Sequence, residues 1–200
     1  MFELQKYEGE VFADCDFPEE KSEKLEFSNC KFRCVDFSDR VLEKCRFYRC
    51  TFLSCQFHGA QLVKCAFLHA SFRFCSFFSA VFDNCKMTGS SLSEADCSCI
   101  SIISGDWSYT GLEELDFSRM KLEDVNLEGA FLTGVDFSKS VLKNCNLRSA
   151  VVTGADFTRA DIRECRLEGI DFLGAHFKKT KIDLNQAVLF AQAMGAEFEP

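Results

Sequence analysis

The pattern of the chain is set by three pentads that follow one another at twenty-residue intervals: Leu115-Asp116-Phe117-Ser118-Arg119, Val135-Asp136-Phe137-Ser138-Lys139 and Ala155-Asp156-Phe157-Thr158-Arg159. Outward from them, an apolar residue, usually a large one, stands at every position whose number ends in 2 or 7 from Tyr7 to Ile182, except at Ser22. A period of five fits neither the 3.6-residue repeat of an α-helix nor the two-residue alternation of a β-strand. Because the period never shifts, we expect no inserted loop between Tyr7 and Ile182.

A second series of inward residues lies two places before the first, at numbers ending in 0 or 5. It holds mostly small or apolar residues, such as Cys45, Ala60 and Ala155, whereas the other three positions of each pentad are mostly polar or charged. One large and one small inward residue in every five indicate a chain that turns a corner at each pentad around a filled axis.

Residues twenty apart share a chemical character. One such column is almost entirely phenylalanine: Phe17, Phe37, Phe57, Phe77, Cys97, Phe117, Phe137, Phe157 and Phe177. The neighbouring column is mostly aliphatic: Ser22, Leu42, Leu62, Phe82, Ile102, Leu122, Leu142, Ile162 and Ile182. Stacked coils of four pentads account for both columns, and each coil then buries its core only against its neighbours.

The pentads resemble those of the pentapeptide-repeat family, whose consensus is small–Asp/Asn–Leu/Phe–polar–any. Ala155-Asp156-Phe157-Thr158-Arg159 and Cys145-Asn146-Leu147-Arg148-Ser149 match this consensus directly, and the resemblance covers roughly residues 10 to 182. It implies an all-β fold, a right-handed quadrilateral β-helix of about nine coils without loop insertions. We expect a single domain in which residues 25–182 form this β-helix.

The two ends of the chain depart from the repeat. Residues 1–24 contain Pro18, a charged run and Ser22 at a core position, so we expect an irregular N-terminal coil. Within the repeat, Thr88–Gly111 places Cys97 and Gly105 at inward positions, which predicts a local bend or bulge.

Residues 183–200 change period and predict a capping and dimerisation helix with a tail. Asp183 or Asn185 is expected as the N-cap, and Gly195 as the stop. The helix is apolar nearly all round, which is typical of burial on more than one side. One side would close the end of the β-helix, and the candidate dimer interface comprises Val188, Leu189, Phe190, Ala193, Met194 and Phe198. The alternative is a flat cap on a monomer.

Composition narrows the classes of function. Ten of the 13 cysteines occupy the small inward series, so we expect buried thiols rather than disulfides or a metal site. The absence of a signal-like N-terminus and of a long apolar run favours a cytoplasmic protein that contacts neither membrane nor nucleic acid. His58, His69 and His176 lie on outward positions without fixed partners, and a smooth rod is a poor scaffold for catalysis. We expect a non-enzyme without a cofactor.

Two surface features are candidate binding sites. The first is an acidic belt on a chain of net charge −8: Glu94, Asp96, Asp106, Glu113, Glu114, Asp116, Glu123, Asp124, Glu128 and Asp136. Stacked aspartates such as Asp116 and Asp136 are instead explained if they bond to turn backbone and meet Arg119 and Lys139. The second is an apolar contact patch: Tyr48, Leu53, Leu68, Phe74 and Phe78.

Within the family, the chain is similar to the quinolone-resistance and topoisomerase-protecting members. The similarity lies in the run Ile182–Ala187, the apolar helix that follows and the cysteine-rich phenylalanine pentads. It implies a homodimer that imitates duplex DNA, binds DNA gyrase and possibly topoisomerase IV, and protects them from quinolones or a peptide toxin. Many such members carry projecting loops, which this chain lacks. The alternative hypothesis is a generic scaffold that binds another protein through the acidic belt or the apolar contact patch.

Overall fold

The computed structural model describes residues 5–17 and 19–197 as a four-sided, right-handed β-helix closed by a C-terminal α-helix. Side one is a seven-stranded parallel sheet: β1 (Lys6–Glu8), β4 (Glu26–Ser28), β7 (Arg46–Tyr48), β10 (Ala66–Leu68), β13 (Cys85–Lys86), β16 (Gly105–Asp106) and β18 (Val125–Asn126). Side two is five-stranded: β2 (Val11–Ala13), β5 (Lys31–Arg33), β8 (Thr51–Leu53), β11 (Ser71–Ser76) and β14 (Ser91–Asp96).

The other two sides are less regular. Side three carries the phenylalanine column and is joined mostly by isolated bridges, such as Asp116 to Asp136 and Asp136 to Asp156. Side four has two sheets. The first contains β3 (Lys21–Glu23), β6 (Val41–Glu43), β9 (Gln61–Val63), β12 (Val81–Asp83) and β15 (Ser101–Ile102), and the second contains β17 (Lys121–Glu123) and β19 (Val141–Lys143).

Within each sheet, strands that lie twenty residues apart in sequence pair in parallel, as in Phe27 to Phe47 and Phe47 to Phe67. The predicted stacking of coils is therefore confirmed. The expected number of about nine coils is slightly too high for the regular ladder, which has seven strands on its longest side. Beyond Asn126 that side continues only through single bridges to Asn146 and Arg166, because turns occupy the rest of each pentad.

Aromatic rings fill the centre of the coils. The Phe57 ring stacks on Phe37 with centroids 4.5 Å apart and on Phe77 at 4.6 Å. In the C-terminal half, Phe137 lies between Phe117 at 5.7 Å and Phe157 at 5.1 Å. The predicted phenylalanine column is confirmed on both sides of the break that Cys97 makes in it.

The corners of the coils explain the many cysteines. All 13 are free, and all ten on the small series are buried except the half-buried Cys15. Their thiols donate to carbonyl oxygens of the preceding coil, as from Cys65 Sγ to Leu42 O at 3.1 Å. A hydroxyl replaces the thiol at Ser90, whose Oγ donates to Phe67 O at 2.8 Å. The small residue thus satisfies a buried backbone acceptor, a role that treating cysteine as a small hydrophobe misses.

The N-terminal coil is more regular than its sequence predicts. Strands β1, β2 and β3 pair in register with β4, β5 and β6, so the description of residues 1–24 as irregular does not hold for 5–17 and 19–24. Ser22 is buried, and its carbonyl accepts from Cys45 Sγ at 3.6 Å. Backbone pairing with the next coil needs no bulky side chain at that position. Pro18 lies outside the described residues.

At the C-terminal end, a 3-10 turn at Phe172–Gly174 is followed by an α-helix that closes the β-helix. Helix α1 (Leu184–Ala193) is capped by Asp183 and not by Asn185, through a capping box with Gln186. Gln186 Nε2 also donates to the carbonyls of Ile162 at 2.7 Å and Cys165 at 2.9 Å. The helix therefore supplies a donor to the Cys165 carbonyl and a second donor to the Ile162 carbonyl, which also accepts from Cys165 N–H at 3.1 Å.

Candidate partner-binding surfaces

The acidic belt divides into two groups, because each pentad turns onto the next side. Asp96, Asp116 and Asp136 lie on side three, and Glu94 and Glu114 occupy the corner before it. Glu113, just before that corner, accepts a hydrogen bond from Ser93 Oγ. We call these six residues the side-three acidic group.

The remaining four acids face other directions. Asp106 and Glu128 lie on side one, where the Asn126 and Asn146 amides donate to them at 2.9 Å. Glu123 ends β17 on side four and forms an ion pair with Lys143 at 2.5 Å, and the adjacent Asp124 accepts from Asn144. The belt therefore encircles the rod and does not form one face.

Turn geometry accounts for the stacked aspartates. The Ser118 amide donates to Asp116 Oδ1 at 2.8 Å, and the Ser138 amide donates to Asp136 Oδ1 at 2.6 Å. In the described part of the chain, neither carboxylate forms an ion pair with the cation three residues later. The predicted turn hydrogen bonds are thus present, whereas the predicted ion pairs are not.

Hydrogen bonds also keep two of these carboxyl groups ionised. Bonds from the Ser98 hydroxyl and amide lower the pKa of Asp96 below its ordinary value. Burial alone would raise the pKa of Asp106, but hydrogen bonds from Ser108, Asn126 and Thr88 together lower it. Both groups therefore carry full negative charge near neutral pH.

The Glu114 carboxylate differs from its neighbours. Across residues 5–17 and 19–197 it has no ion-pair or side-chain hydrogen-bond partner, and it is exposed. Glu94 is exposed as well, and it pairs with Arg73 at 2.9 Å. An exposed ion pair of this kind stabilises a protein by about 0 to 1 kcal/mol, so Glu94 can leave Arg73 for a binding partner at little cost in free energy. Glu114 has no ion pair to break.

The apolar contact patch is spread over three sides. Tyr48 and Leu68 lie in register on side one, and Leu53 with Phe74 lies at the end of side two. Phe78 lies on side three, edge-on to His58 at 6.3 Å. Phe74 is the most exposed of the five at 62%, with Arg73 stacked over its ring at 5.7 Å. The structure therefore brings together pairs of these residues and not the whole set.

The proposed dimer residues of α1 also face in different directions. Phe190 packs inward on Phe172 at 4.2 Å and on Phe177 at 4.8 Å, and Leu189 packs against the core. Val188 is half-buried, whereas Ala193 and Met194 are exposed. Phe198 lies outside the described residues. An apolar cavity of about 600 Å³ opens beside the helix, between Leu173, Ile182 and Met194.

Comparison with known families agrees with the coil geometry. The model described as pentapeptide repeats matches in eight copies over residues 30–67, 112–138, 121–159 and 153–189. The chain belongs to the pentapeptide-repeat family. A search of curated proteins finds no match.

Other pentapeptide-repeat proteins share this structure. A trypsin-treated QnrB1, a plasmid-mediated fluoroquinolone resistance protein, is 25% identical over 97% of each chain, with a TM-score of 0.83. Full-length QnrB1 is 22% identical over 96% of this chain and 100% of that one, with a TM-score of 0.71. HetL from the cyanobacterium Nostoc, involved in heterocyst differentiation regulation, is 20% identical over 88% and 84%, at a TM-score of 0.50.

Within the described residues, no group of three or more histidine, cysteine or acidic side chains is placed to hold a metal ion. None of the helices there is long and apolar enough to cross a membrane. The features that remain for function are the acidic groups, the exposed aromatic side chains and the C-terminal apolar surface.

Proposed function

We propose that this protein is a non-enzymatic, cytoplasmic DNA mimic that binds a type II topoisomerase. DNA gyrase is the first candidate and topoisomerase IV the second, and binding would modulate or protect the enzyme against quinolones or a gyrase-poisoning toxin. The observation that carries the proposal is the likeness to QnrB1, a fluoroquinolone resistance protein, which extends over 97% of both chains at a TM-score of 0.83.

Charge density limits how the imitation works. Duplex DNA presents one phosphate charge per about 1.7 Å of axis. Side three presents one aspartate per coil from Asp116 to Asp156, at a spacing of about 4.8 Å. Glu94, Glu113 and Glu114 lie beside the aspartate column and raise the charge density of the side-three acidic group. We therefore assign gyrase docking to this group, as a local patch of charge.

Self-association through α1 is the second part of the proposal. Leu173 and Met194 line an apolar cavity and, like Leu184 at the start of the helix, are at least 71% exposed, and a second copy related by a two-fold axis would cover them. Met194→Asp should convert a dimer into a monomer in light scattering, because a carboxylate would be buried at the interface. Gln192→Asp, an exposed polar position on the same helix, is the matched control. A wild type that is monomeric at micromolar concentration contradicts this part.

A gyrase supercoiling assay tests the topoisomerase proposal. Purified protein is added to gyrase with relaxed plasmid, with and without ciprofloxacin. We expect either inhibition of supercoiling in the absence of drug or recovery of supercoiling in its presence. No change in either arm at micromolar protein would remove the proposal.

A matched pair of variants then locates the docking face. Glu94→Lys/Glu114→Lys and Glu123→Lys/Asp124→Lys change the net charge by the same amount on different sides of the rod. We expect the first variant to lose the effect on gyrase and the second to keep it, with melting temperatures close to that of the wild type. Equal behaviour of both variants would mean that the acids form only a solvated face.

The alternative is a scaffold for a different protein partner. Phe74, which is 62% exposed under the Arg73 guanidinium, is the feature that favours it, since aromatic residues and arginine are enriched in interfaces. Phe74→Ser would abolish binding of such a partner and leave the gyrase assay unchanged. Co-purification of one non-topoisomerase protein with the wild type but not with Phe74→Ser would support this alternative.

A further inference from the structure

The β-helix is open along two of its four sides near the middle of the rod. Elsewhere, neighbouring coils are joined by bonds such as Phe77 N–H to Asp96 O at 2.7 Å and Val81 N–H to Ala60 O at 2.9 Å. No corresponding backbone bond joins residues 95–104 to residues 115–124, both fully within the described chain, and β15 and β17 belong to separate sheets. We call this interruption the seam.

Sides one and two remain closed at the same level. Strand β16 pairs with β18 through Gly105 and Val125, and Gly111 bridges both Ser91 and Phe131. Gly105 lies at φ 132°, and a Cβ there would come within 2.2 Å of the Cys85 carbonyl oxygen, so only glycine allows this close pairing. The two coils are therefore joined by backbone pairing along sides one and two and separated along sides three and four.

Bulky residues mark the corner that the two open sides share. The corner column that contains Ala60, Ala80, Ser140 and Ala160 holds Ile100 and Met120 at two successive levels. Leu115 and Val135 are also enlarged in succession, at another corner, and there the ladder stays closed through Asp136 N–H to Leu115 O at 3.0 Å. The size of the corner residues alone therefore does not account for the opening.

Two cavities lie along the seam, and the open strand edges line them. Cavities of about 600 Å³ on side four and about 430 Å³ on side three both reach Ile100 and Met120 at the shared corner. On the lower edge, the amides of Cys97 and Ile102 and the carbonyls of Ala95 and Ile100 have no backbone partner across the gap. Unpaired strand edges of this kind accept an added strand.

Most of the charges around the seam are negative. Five acidic side chains line the two cavities, and Lys121 is the only basic one among the lining residues: Asp96, Glu114, Asp116, Glu123 and Asp124. A bound segment would therefore lie in a strongly negative potential, which favours lysine and arginine side chains. The backbone of the segment would form hydrogen bonds with the open strand edges. Its alternate apolar side chains would pack against Ile100, Ile102 and Met120.

We propose that the seam binds an extended, basic peptide segment of a partner protein, which pairs with the open edges as an added β-strand. Peptide capture at the seam requires no topoisomerase and can be measured without one. Failure of the peptide assay would leave the gyrase proposal standing, and failure of the gyrase assay would leave the seam proposal standing.

A synthetic probe tests the proposal on the full chain. The probe is a fluorescent eight-residue peptide of alternating lysine and valine, about 26 Å long when extended. We expect saturable binding by anisotropy, weakened about tenfold or more when alternate backbone amides are N-methylated, because N-methylation removes the strand hydrogen bonds. Equal binding of the N-methylated peptide would overturn the proposal, since attraction by the acids alone would then suffice. No binding of either peptide would also overturn it.

Two exposed cysteines supply an internal control for position. Cys99 lines the seam at the corner between sides three and four, whereas Cys34 lies more than three coils away. Bound peptide should slow alkylation of Cys99 about tenfold, read by mass spectrometry, and leave Cys34 unchanged. Equal rates at Cys99 with and without saturating peptide would place the peptide elsewhere and contradict the proposal.

A pair of variants tests the contribution of the shared corner. Ile100→Ala/Met120→Ser removes the apolar side chains that the peptide would contact, so peptide binding should fall at least about tenfold. Loss of the buried Ile100 side chain should also lower the melting temperature. Val135→Ala reduces a corner outside the seam and should leave peptide binding unchanged. Retained binding in the double variant would contradict the proposal, and footprinting at Cys99 gives the same decision if that variant does not fold.

Discussion

Truncation of Phe57 is expected to destabilise the protein severely. Its ring is fully buried, with ring neighbours at 4.5 and 4.6 Å in the adjacent coils and edge contacts to Phe52 and Phe72. Replacement of a buried phenylalanine by alanine costs about 3–5 kcal/mol. At about 3 °C per kcal/mol for a chain of this size, Phe57→Ala should lower the melting temperature by about 9–15 °C.

An exposed phenylalanine on the same side provides the control. Phe78, one coil above His58 on the same side, is about half exposed, and Phe78→Ala should change stability by no more than about 0.5 kcal/mol. Thermal unfolding followed by circular dichroism measures both variants, and the single Trp107, fully buried, reports on the C-terminal half by fluorescence. A loss below about 3 °C for Phe57→Ala, or equal losses for the two variants, would refute stacking as the source of stability.

Three further outcomes follow from the same contacts. In the folded protein, the exposed Cys34 and Cys99 should react with Ellman's reagent far faster than Cys50 and Cys85, because burial raises the pKa of the Cys50 and Cys85 thiols to about 12. Rapid reaction of most thiols would contradict the burial of the corner cysteines. The pKa of Asp106 in the folded protein is lower than its ordinary value of 3.8. The ionised carboxylate therefore stabilises the protein above pH 3.8, and this stabilisation is lost as the pH falls through the folded pKa. The melting temperature of Asp106→Asn should therefore lie below that of the wild type at pH 7 and approach it at pH 2; a difference independent of pH would count against this assignment. Gln186→Ala should cost about 1–3 kcal/mol in thermal unfolding, because the buried Cys165 carbonyl loses its donor and the Ile162 carbonyl keeps only the bond from Cys165 N–H, whereas Gln192→Ala should be neutral.

The interior could be read from the sequence because each inward position is occupied by one class of residue. The columns of Phe17 and Leu42 predicted which residues would stack, and the five-residue period left no other register. The role of Cys65 as a donor to a buried carbonyl was not predicted, since sequence shows only that a small residue is required. The N-terminal coil is regular although Ser22 replaces a large apolar residue, because its backbone pairs with the next coil at Lys21, Ser22 and Glu23.

The surface was less predictable, because neighbours in sequence turn away from one another in space. Glu113 and Asp124 are eleven residues apart, yet two corners lie between them, so one acidic belt became two groups. Arg119 and Lys139 adopt left-handed corner conformations with φ of 60°, and neither pairs with the aspartate three residues earlier. The looser segment Thr88–Gly111 was expected to bend, but only the missing backbone bonds between residues 95–104 and residues 115–124 show where the ladder opens.

Competition between this protein and DNA for gyrase is the most direct test of the proposed mimicry. A fluorescent linear duplex is bound to gyrase, and the protein is titrated in at increasing ionic strength. We predict displacement of the duplex by the wild type, weaker displacement as salt is raised, and none by Glu94→Lys/Glu114→Lys. Stable co-binding of protein and duplex to the same gyrase would contradict the account.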